Sequence, residues 1–366
     1  MGLITKVLIV DDSSVARDFL AFIIESDPEL KVIGKAANGE EALELLKHQT
    51  PDIIMLDIVM PKMDGFELTK RIMQSHPIPI IVVSGVYNRE EVCKSFKAIE
   101  AGAVAILEKP KGIGDSRYQD VARFVIETIK VMAKIKPHGA QNLNSAQSPY
   151  DIKKSQETPT PAHHAETKHE HVPNIEAIAI GASIGGPQAL STILSALPQD
   201  FPCPIFLVQS ICSGFIQGFI DWLNGYSSLK VTLAKDGQHA IPGYVYVAPS
   251  NVQMEVLNGN MIKLVSDPAE TRIAPSIGHL FQSVSQTYGP HSIGIILSGL
   301  GSDGAKELLR MKEKGAITIA QNEESCVTFD LPKSAVHLGA ANKIENPQQI
   351  SLSLKSLVSQ KHHNLI

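Results

Sequence analysis

The stretch VLIVDD at residues 7–12 decides the fold. Four apolar residues without alternation suit a strand buried on both faces, as parallel sheets require. Two adjacent carboxylates, Asp11 and Asp12, close it. Four further apolar runs follow: KVIGKA (31–36), DIIML (52–56), IIVV (80–83) and AVAIL (103–107). Helical patterns separate them. In the first, Val15, Phe19, Phe22 and Ile23 repeat at i, i+4, i+7 and i+8, with Ser13 or Ser14 as N-cap. Five βα units of this length predict a doubly wound α/β sheet whose chemistry lies at the strand C-termini.

Beyond residue 134 the character changes. Residues 135–172 are rich in Pro, Ser, Gln and His and have almost no apolar period, the composition of a flexible linker. His163, His164, His169 and His171 there read as solvated side chains, since nothing fixes a coordination geometry. A second unit is expected over 173–360, with a short tail at 361–366. Its strand candidates are 175–180, 204–209, 230–234, 244–248, 292–297 and 316–320, several followed by helices. VQMEVL and MIKLV flank Asn258, Gly259 and Asn260 as an antiparallel hairpin with a tight I′ turn. The expectation is two mostly parallel α/β sheets, the second carrying an antiparallel excursion.

The chain has 366 residues, 43% of them apolar, enough for two cores. Its formal net charge of −5, with Lys and Arg scattered, argues against nucleic acid as a partner. Four cysteines form no CxxC pair and no zinc pattern, which suits a reducing cytosol. No apolar run nears the ~18 residues of a membrane span. The opening MGLITKVLIVDD lacks signal-peptide layout, and Lys6 stands where an acylation motif wants Ser or Thr. A cytoplasmic location is expected.

Asp11 and Asp12 end the first strand, Asp57 the third, Ser84 the fourth, and Lys109 with Pro110 the fifth. The topology gathers them at one sheet edge. Clustered carboxylates suit Mg²⁺, a hard cation that takes oxygen ligands. With their repulsion offset, Asp57 can attack a phosphoryl donor as a carboxylate nucleophile. VLIVDD, IIMLDIVMPKMDG, VVSG and EKP resemble the motifs of two-component receiver domains. The resemblance implies Mg²⁺ on Asp12 and Asp57, supported by Asp11, with Asp57 as phosphoacceptor. It also implies Ser84 and Lys109 on the phosphoryl group, a cis Pro110, and a sensor histidine kinase as partner. Ile106 stands where many receivers carry a switching aromatic.

GASIG at 181–185 falls between a strand and a helix, as Gly-x-Ser-x-Gly does in a nucleophile elbow. A helix starting near Pro187 aims its amide end at the same spot. GASIGG lacks the second glycine of a dinucleotide-binding GxGxxG. IGAS-x-GGP, VQ-x-x-x-SGF, DGQHAIPGYVYVAPS, APSIGHLF and SG-x-G-x-DG resemble, in order, the output domain of chemotaxis protein-glutamate methylesterases. That implies hydrolysis of glutamyl methyl esters, and deamidation of glutamines, on chemoreceptors, without a soluble cofactor. Ser183 would be the nucleophile and Asp303 the residue orienting a histidine base, with the receiver covering the site until Asp57 is phosphorylated. The family's histidine follows the strand-end glutamine, where this chain has Ser210. Ile184, Leu300, Ala274, Gly278 and Gln253 replace the usual Thr, Met, Arg, Asp and His. His239, His279, His291 and His337 lie in the same unit, His279 being the best substitute base and Cys212 an alternative nucleophile. The competing expectation is a phosphorylation-gated binding protein without catalysis.

Overall fold

The computed structural model describes residues 4–85, 89–116, 118–135, 174–266 and 274–359. Apart from Ile135 the expected linker lies outside them, as do its histidines and the tail at 361–366.

The N-terminal sheet contains β1 (Thr5–Val10), β2 (Leu30–Ala36), β3 (Ile53–Leu56), β4 (Ile80–Ser84) and β5 (Ala105–Glu108). The strands are ordered β2-β1-β3-β4-β5, and every pairing is parallel. Helices α1 (Ser14–Glu25), α2 (Gly39–Leu46), α3 (Gly65–Ser75), α4 (Arg89–Glu100) and α5 (Tyr118–Met132) alternate with them. Helices α1 and α5 seal one core against β1 and β3, while α3 and α4 close another on the opposite face. Ser13 caps α1 by accepting from the Ala16 amide at 3.3 Å. The expected apolar stripe on that helix needs correction. Leu20, Ile23 and Ile24 face the core, whereas Val15 and Phe22 are 77% and 57% exposed. One stripe of a single-sided helix cannot hold all the apolar positions, and the 20/23/24 triplet takes it.

The second sheet contains β6 (Ala177–Ala182), β7 (Ile205–Gln209), β8 (Lys230–Leu233), β9 (Tyr244–Val247), β12 (Ser292–Ile296), β13 (Ile317–Gln321) and β14 (Lys343–Glu345). Strands β10 (Val252–Leu257) and β11 (Met261–Ser266) form a separate antiparallel hairpin. The helices are α6 (Gly186–Ser195), α7 (Ile216–Asn224), α8 (Ile277–Tyr288), α9 (Ala305–Glu313), α10 (Asp330–His337) and α11 (Pro347–Ser359). The order β14-β13-β12-β6-β7-β9-β8 is parallel throughout. The chain leaves β6 toward β7 and later returns to β6's other side as β12. That reversal opens a crevice at the end of β6, the place where doubly wound sheets hold their chemistry. Leu257 pairs with Met261, so Asn258, Gly259 and Asn260 form the expected hairpin loop, but as a three-residue turn rather than a I′ turn, with Gly259 and Asn260 left-handed at φ 73° and 60°. The short edge strand β14 has no counterpart in the sequence reading.

Candidate functional site

At the first sheet edge Lys109 reaches back from the end of β5 between two carboxylates. Its Nζ lies 2.8 Å from Asp57 Oδ2 and 2.7 Å from Asp11 Oδ2. The Asp57 amide donates to Val10 O at 2.8 Å, which fixes the end of β3 beside β1. Ser84 is fully buried nearby, and its hydroxyl donates to Gly85 O at 3.2 Å. Asp12 is exposed, while Arg17 holds the turn by donating to the carbonyls of Asp11 and Asp12 at 2.6 and 3.1 Å. The backbone between Lys109 and Pro110 is trans, which corrects the expected cis bond: the cis X-Pro bond among the described residues is Ala274–Pro275.

Burial, partly offset by the hydrogen bond and charge of Lys109, pushes Asp57 up to about 6. For Lys109 burial works against the charged form, but hydrogen bonds and charge from Asp11 and Asp57 outweigh it and raise its pKa. Ligand oxygens of Asp11, Asp12 and Asp57 all lie within 4.8 Å of one another. Two oxygens on one Mg²⁺ are at most ~4.2 Å apart, so a small closing movement suffices. Asp11 Oδ2 is buried and faces Lys109 Nζ at 2.7 Å. That oxygen retains accepting capacity, so the residues present fit a hard divalent cation.

The raised Asp57 pKa has a consequence for stability. Between the unfolded value of ~4 and about 6, the folded protein holds a proton that the unfolded chain releases. Stability therefore falls as pH rises through that window, and the penalty is fully present above it. At ~1.4 kcal/mol per pKa unit the cost is of order 2–3 kcal/mol. In EDTA at pH 7.5, Asp57→Asn is expected to melt higher than the wild type. Near pH 4 the difference should vanish. A thermal-melt pH series checks it; an equal gap at both pH values contradicts it.

At the second sheet edge, β6 ends in the tight turn that carries Ser183. Gly185 adopts φ 81°, and a Cβ there would stand 2.4 Å from Ser298 Oγ, so glycine is required. The turn is fixed from below. The Ser183 amide donates to Ser298 O at 3.0 Å, and Ser298 Oγ donates to Ile184 O at 2.8 Å. Gln209, at the end of β7, donates from Nε2 to Ser183 O at 2.8 Å. The Ser210 amide donates to Ala182 O at 2.9 Å, which places Ser210 beside Ser183. Helix α6 begins at Gly186 and directs its amide end toward this turn.

Ser183 and Ser210 line one cavity of about 360 Å³, whose other walls include Gln209, Cys212, Ile106 and Phe124. Among the described residues, no charged side chain lines it. Ile106 and Phe124 belong to the N-terminal unit, so the first domain forms one wall over the serine. Asp303 does not line this cavity. Its carboxylate accepts from Ser276 Oγ at 2.9 Å and from the amides of Ile277 and Gly278 at 2.7 and 3.1 Å. It caps the start of α8, where Gln253 Oε1 also accepts from the Ser276 amide at 2.8 Å. The expected substitute base is elsewhere too: His279 Nε2 lies 2.9 Å from Glu255 Oε1. His239 and His291 face the backbone oxygens of Gly259 and Asn174. Among the described residues, no imidazole lines the Ser183 cavity. Cys212 does line it, as the sequence position suggested.

The sequence reading missed the surface joining the units. Val92, Phe96 and Glu100 repeat at i, i+4 and i+8 on α4 and face α7, while Ala98 and Ile99 face the helix's own core. Phe96 stacks on Trp222 at 5.4 Å and meets Phe219 at 5.6 Å. Trp222 Nε1 donates to Glu100 Oε1. A periodicity broader than one face of α4 was the available signal.

A carboxylate-and-lysine sheet edge joined to a serine-bearing doubly wound domain defines a response regulator with a hydrolase-type output unit. The chain matches the response regulator receiver domain over residues 7–116 and the CheB methylesterase domain over 178–354. It is 44% identical to protein-glutamate methylesterase/protein-glutamine glutaminase 4 of Geobacter metallireducens, over 97% of this chain and 99% of that protein. The corresponding protein of Nitrosospira multiformis is 41% identical over 97% and 98%. The solved CheB methylesterase catalytic domain of Thermotoga maritima is 32% identical, covering 50% of this chain and 100% of that one, at TM-score 0.48. The chain belongs to the protein-glutamate methylesterase/protein-glutamine glutaminase family.

Proposed function

We propose that this protein is a cytoplasmic chemotaxis response regulator in which phosphorylation of Asp57 by a sensor histidine kinase opens the Ser183 site to chemoreceptors. One observation carries the reading. Strand β5 touches both centres, leading directly into Lys109 against Asp57 and placing Ile106, three residues before that lysine, in the wall of the serine cavity. Asp11, Asp12 and Asp57 would hold Mg²⁺, which would offset the negative charge at the site during phosphoryl transfer. Asp57 attacks, and Ser84 and Lys109 hold the phosphoryl oxygens. The acyl phosphate carries close to two negative charges in place of the carboxylate's one and draws Lys109 away from its present partners.

The neutral cavity suits an uncharged glutamyl methyl ester or glutamine carboxamide, and Ser183 Oγ is the group that would attack its carbonyl. That attack needs an acceptor for the hydroxyl proton. Ser210 cannot serve, because a neutral hydroxyl is far too weak a base. A second reading, recognition of the receptor side chain without turnover, is therefore favoured by Ser210 and by the three donors that already engage Asp303.

Methanol release separates the two. Phosphorylated protein is incubated with methylated receptor beside a Ser183→Ala control. Release above the control supports hydrolysis. Equal release with phosphorylation-dependent receptor binding supports gated recognition. Neither release nor binding sinks the assignment to chemoreceptors.

A further inference from the structure

We propose that the two domains never separate on activation: the α4–α7 contact is a fixed pivot, and the domains swing apart only at the β5–α5 edge. The inference rests on the reading that Asp57 is the phosphoacceptor, and it specifies how that event is transmitted.

The interface is unequal along its length. On the α4 side Val92 and Phe96 are 2% and 0% exposed and belong to the same continuous core as the second sheet. Helix α7 approaches closely there because residue 218 is glycine. A Cβ on Gly218 would stand 2.2 Å from Val92 Cγ1, so no larger residue fits without moving the helices apart. Three aromatic rings, Phe96, Phe219 and Trp222, stack within 6.3 Å of one another. The Trp222 indole N–H is satisfied by Glu100. Such packing is dense and hydrogen-bonded, like the interior of one domain.

The opposite edge is built differently. Phe124 on α5 is 44% exposed, and Ile106, Ile184 and Cys212 are only half-buried. Two cavities open at this edge, about 360 Å³ at Ser183, reaching inward as far as Phe96 and Ile99, and about 280 Å³ between Phe124 and Lys109, and Cys212 lines both. Side chains facing a void lack the contacts that dense packing supplies, so this edge parts first. It is also the edge mechanically connected to the phosphoacceptor. Lys109 follows β5 and leads into the loop that starts α5, so displacing it from Asp57 acts on Ile106 and Phe124 before it acts on α4.

Two native probes report the two edges. Trp222 is the chain's single tryptophan and sits in the pivot; Cys212 sits in the opening edge. Full-length protein is treated with Mg²⁺ and beryllium fluoride. Iodoacetamide labelling of Cys212 is followed by peptide mass spectrometry, and Trp222 by emission maximum and acrylamide quenching. Cys212 should label at least fivefold faster while Trp222 stays unchanged. A red-shifted, quenchable Trp222 appearing together with Cys212 labelling overturns the pivot. So does unchanged Cys212 labelling when beryllofluoride is bound.

Failure of beryllofluoride to bind at Asp57 counts against the phosphoacceptor reading, and the pivot is then decided by substitutions. Phe124→Ala should speed Cys212 labelling at least fivefold with Trp222 unchanged. Phe96→Asp should expose both probes. If Phe124→Ala also exposes Trp222, or leaves Cys212 labelling unaltered, the domains do not swing about α4–α7.

Discussion

Ser210→His is expected to raise hydrolysis of a glutamyl methyl ester by roughly 10²-fold. A positioned general base contributes ~10²–10⁴-fold, and the register sets the new imidazole next to Ser183. The Ser210 amide bonds to Ala182 O, and Gln209 pairs with Ala182 across β6 and β7. The lower end of the range applies because Asp303 is occupied. Three donors at the start of α8 engage its carboxylate, leaving less accepting capacity to orient a histidine. The check is a steady-state comparison of kcat/KM for Ser210→His and the wild type, using phosphorylated proteins and a methylated receptor peptide. The doubly substituted Ser183→Ala, Ser210→His protein should lose the gain. A gain that survives without Ser183 would place the nucleophile elsewhere.

Asp57→Asn is expected to cut labelling by a small phosphodonor such as acetyl phosphate by ~10²-fold or more, because an amide cannot supply the attacking oxygen. The surroundings of Asp57 make the effect specific. Asp12 is exposed and Asp11 lies against Lys109 within the core edge, so neither neighbour is poised to replace it. Acid-labile radiolabel on wild type, Asp57→Asn and Asp12→Asn decides the matter. Asp12→Asn should weaken labelling through the metal while leaving the acceptor in place, so excess Mg²⁺ should restore part of it. Undiminished labelling of Asp57→Asn would move the acceptor to another residue.

Much of this arrangement could be read in the sequence, and the reasons differ by element. Both parallel sheets were legible because strands buried on two faces are continuously apolar: VLIV and IIVV admit little else. The ends of those strands carry the charged residues that the topology gathers, so strand order alone brings Asp57 and Lys109 to one edge. The Ser183 turn was legible from its glycines. Asp303 was harder, since an aspartate before a helix can equally cap a neighbouring helix, and hydrogen-bond directions alone showed that it does so for α8. His279 looked like a candidate base by sequence position, yet its helix turns it toward Glu255. Helix α1 misled because Val15 and Phe22 fit one period and Leu20, Ile23 and Ile24 another, and the sheet buries only the second. The interface between the units was signalled only by the broad apolar periodicity of α4, for a related reason. Phe96 and Trp222 sit at apolar helix positions that would look the same had each packed into its own domain.

The apolar ridge of α4 also bears on how the chain is made. Domains emerge and fold from the N-terminus at about 5–20 residues per second. The first sheet is complete soon after α5 leaves the ribosome, but α7 ends only at Asn224, well over a hundred residues after Glu100. For roughly 6–25 s the newborn protein therefore presents Val92 and Phe96 to the surrounding fluid with nothing to cover them. Slower translation of the intervening stretch would lengthen that exposure and favour capture by a chaperone or by another nascent copy.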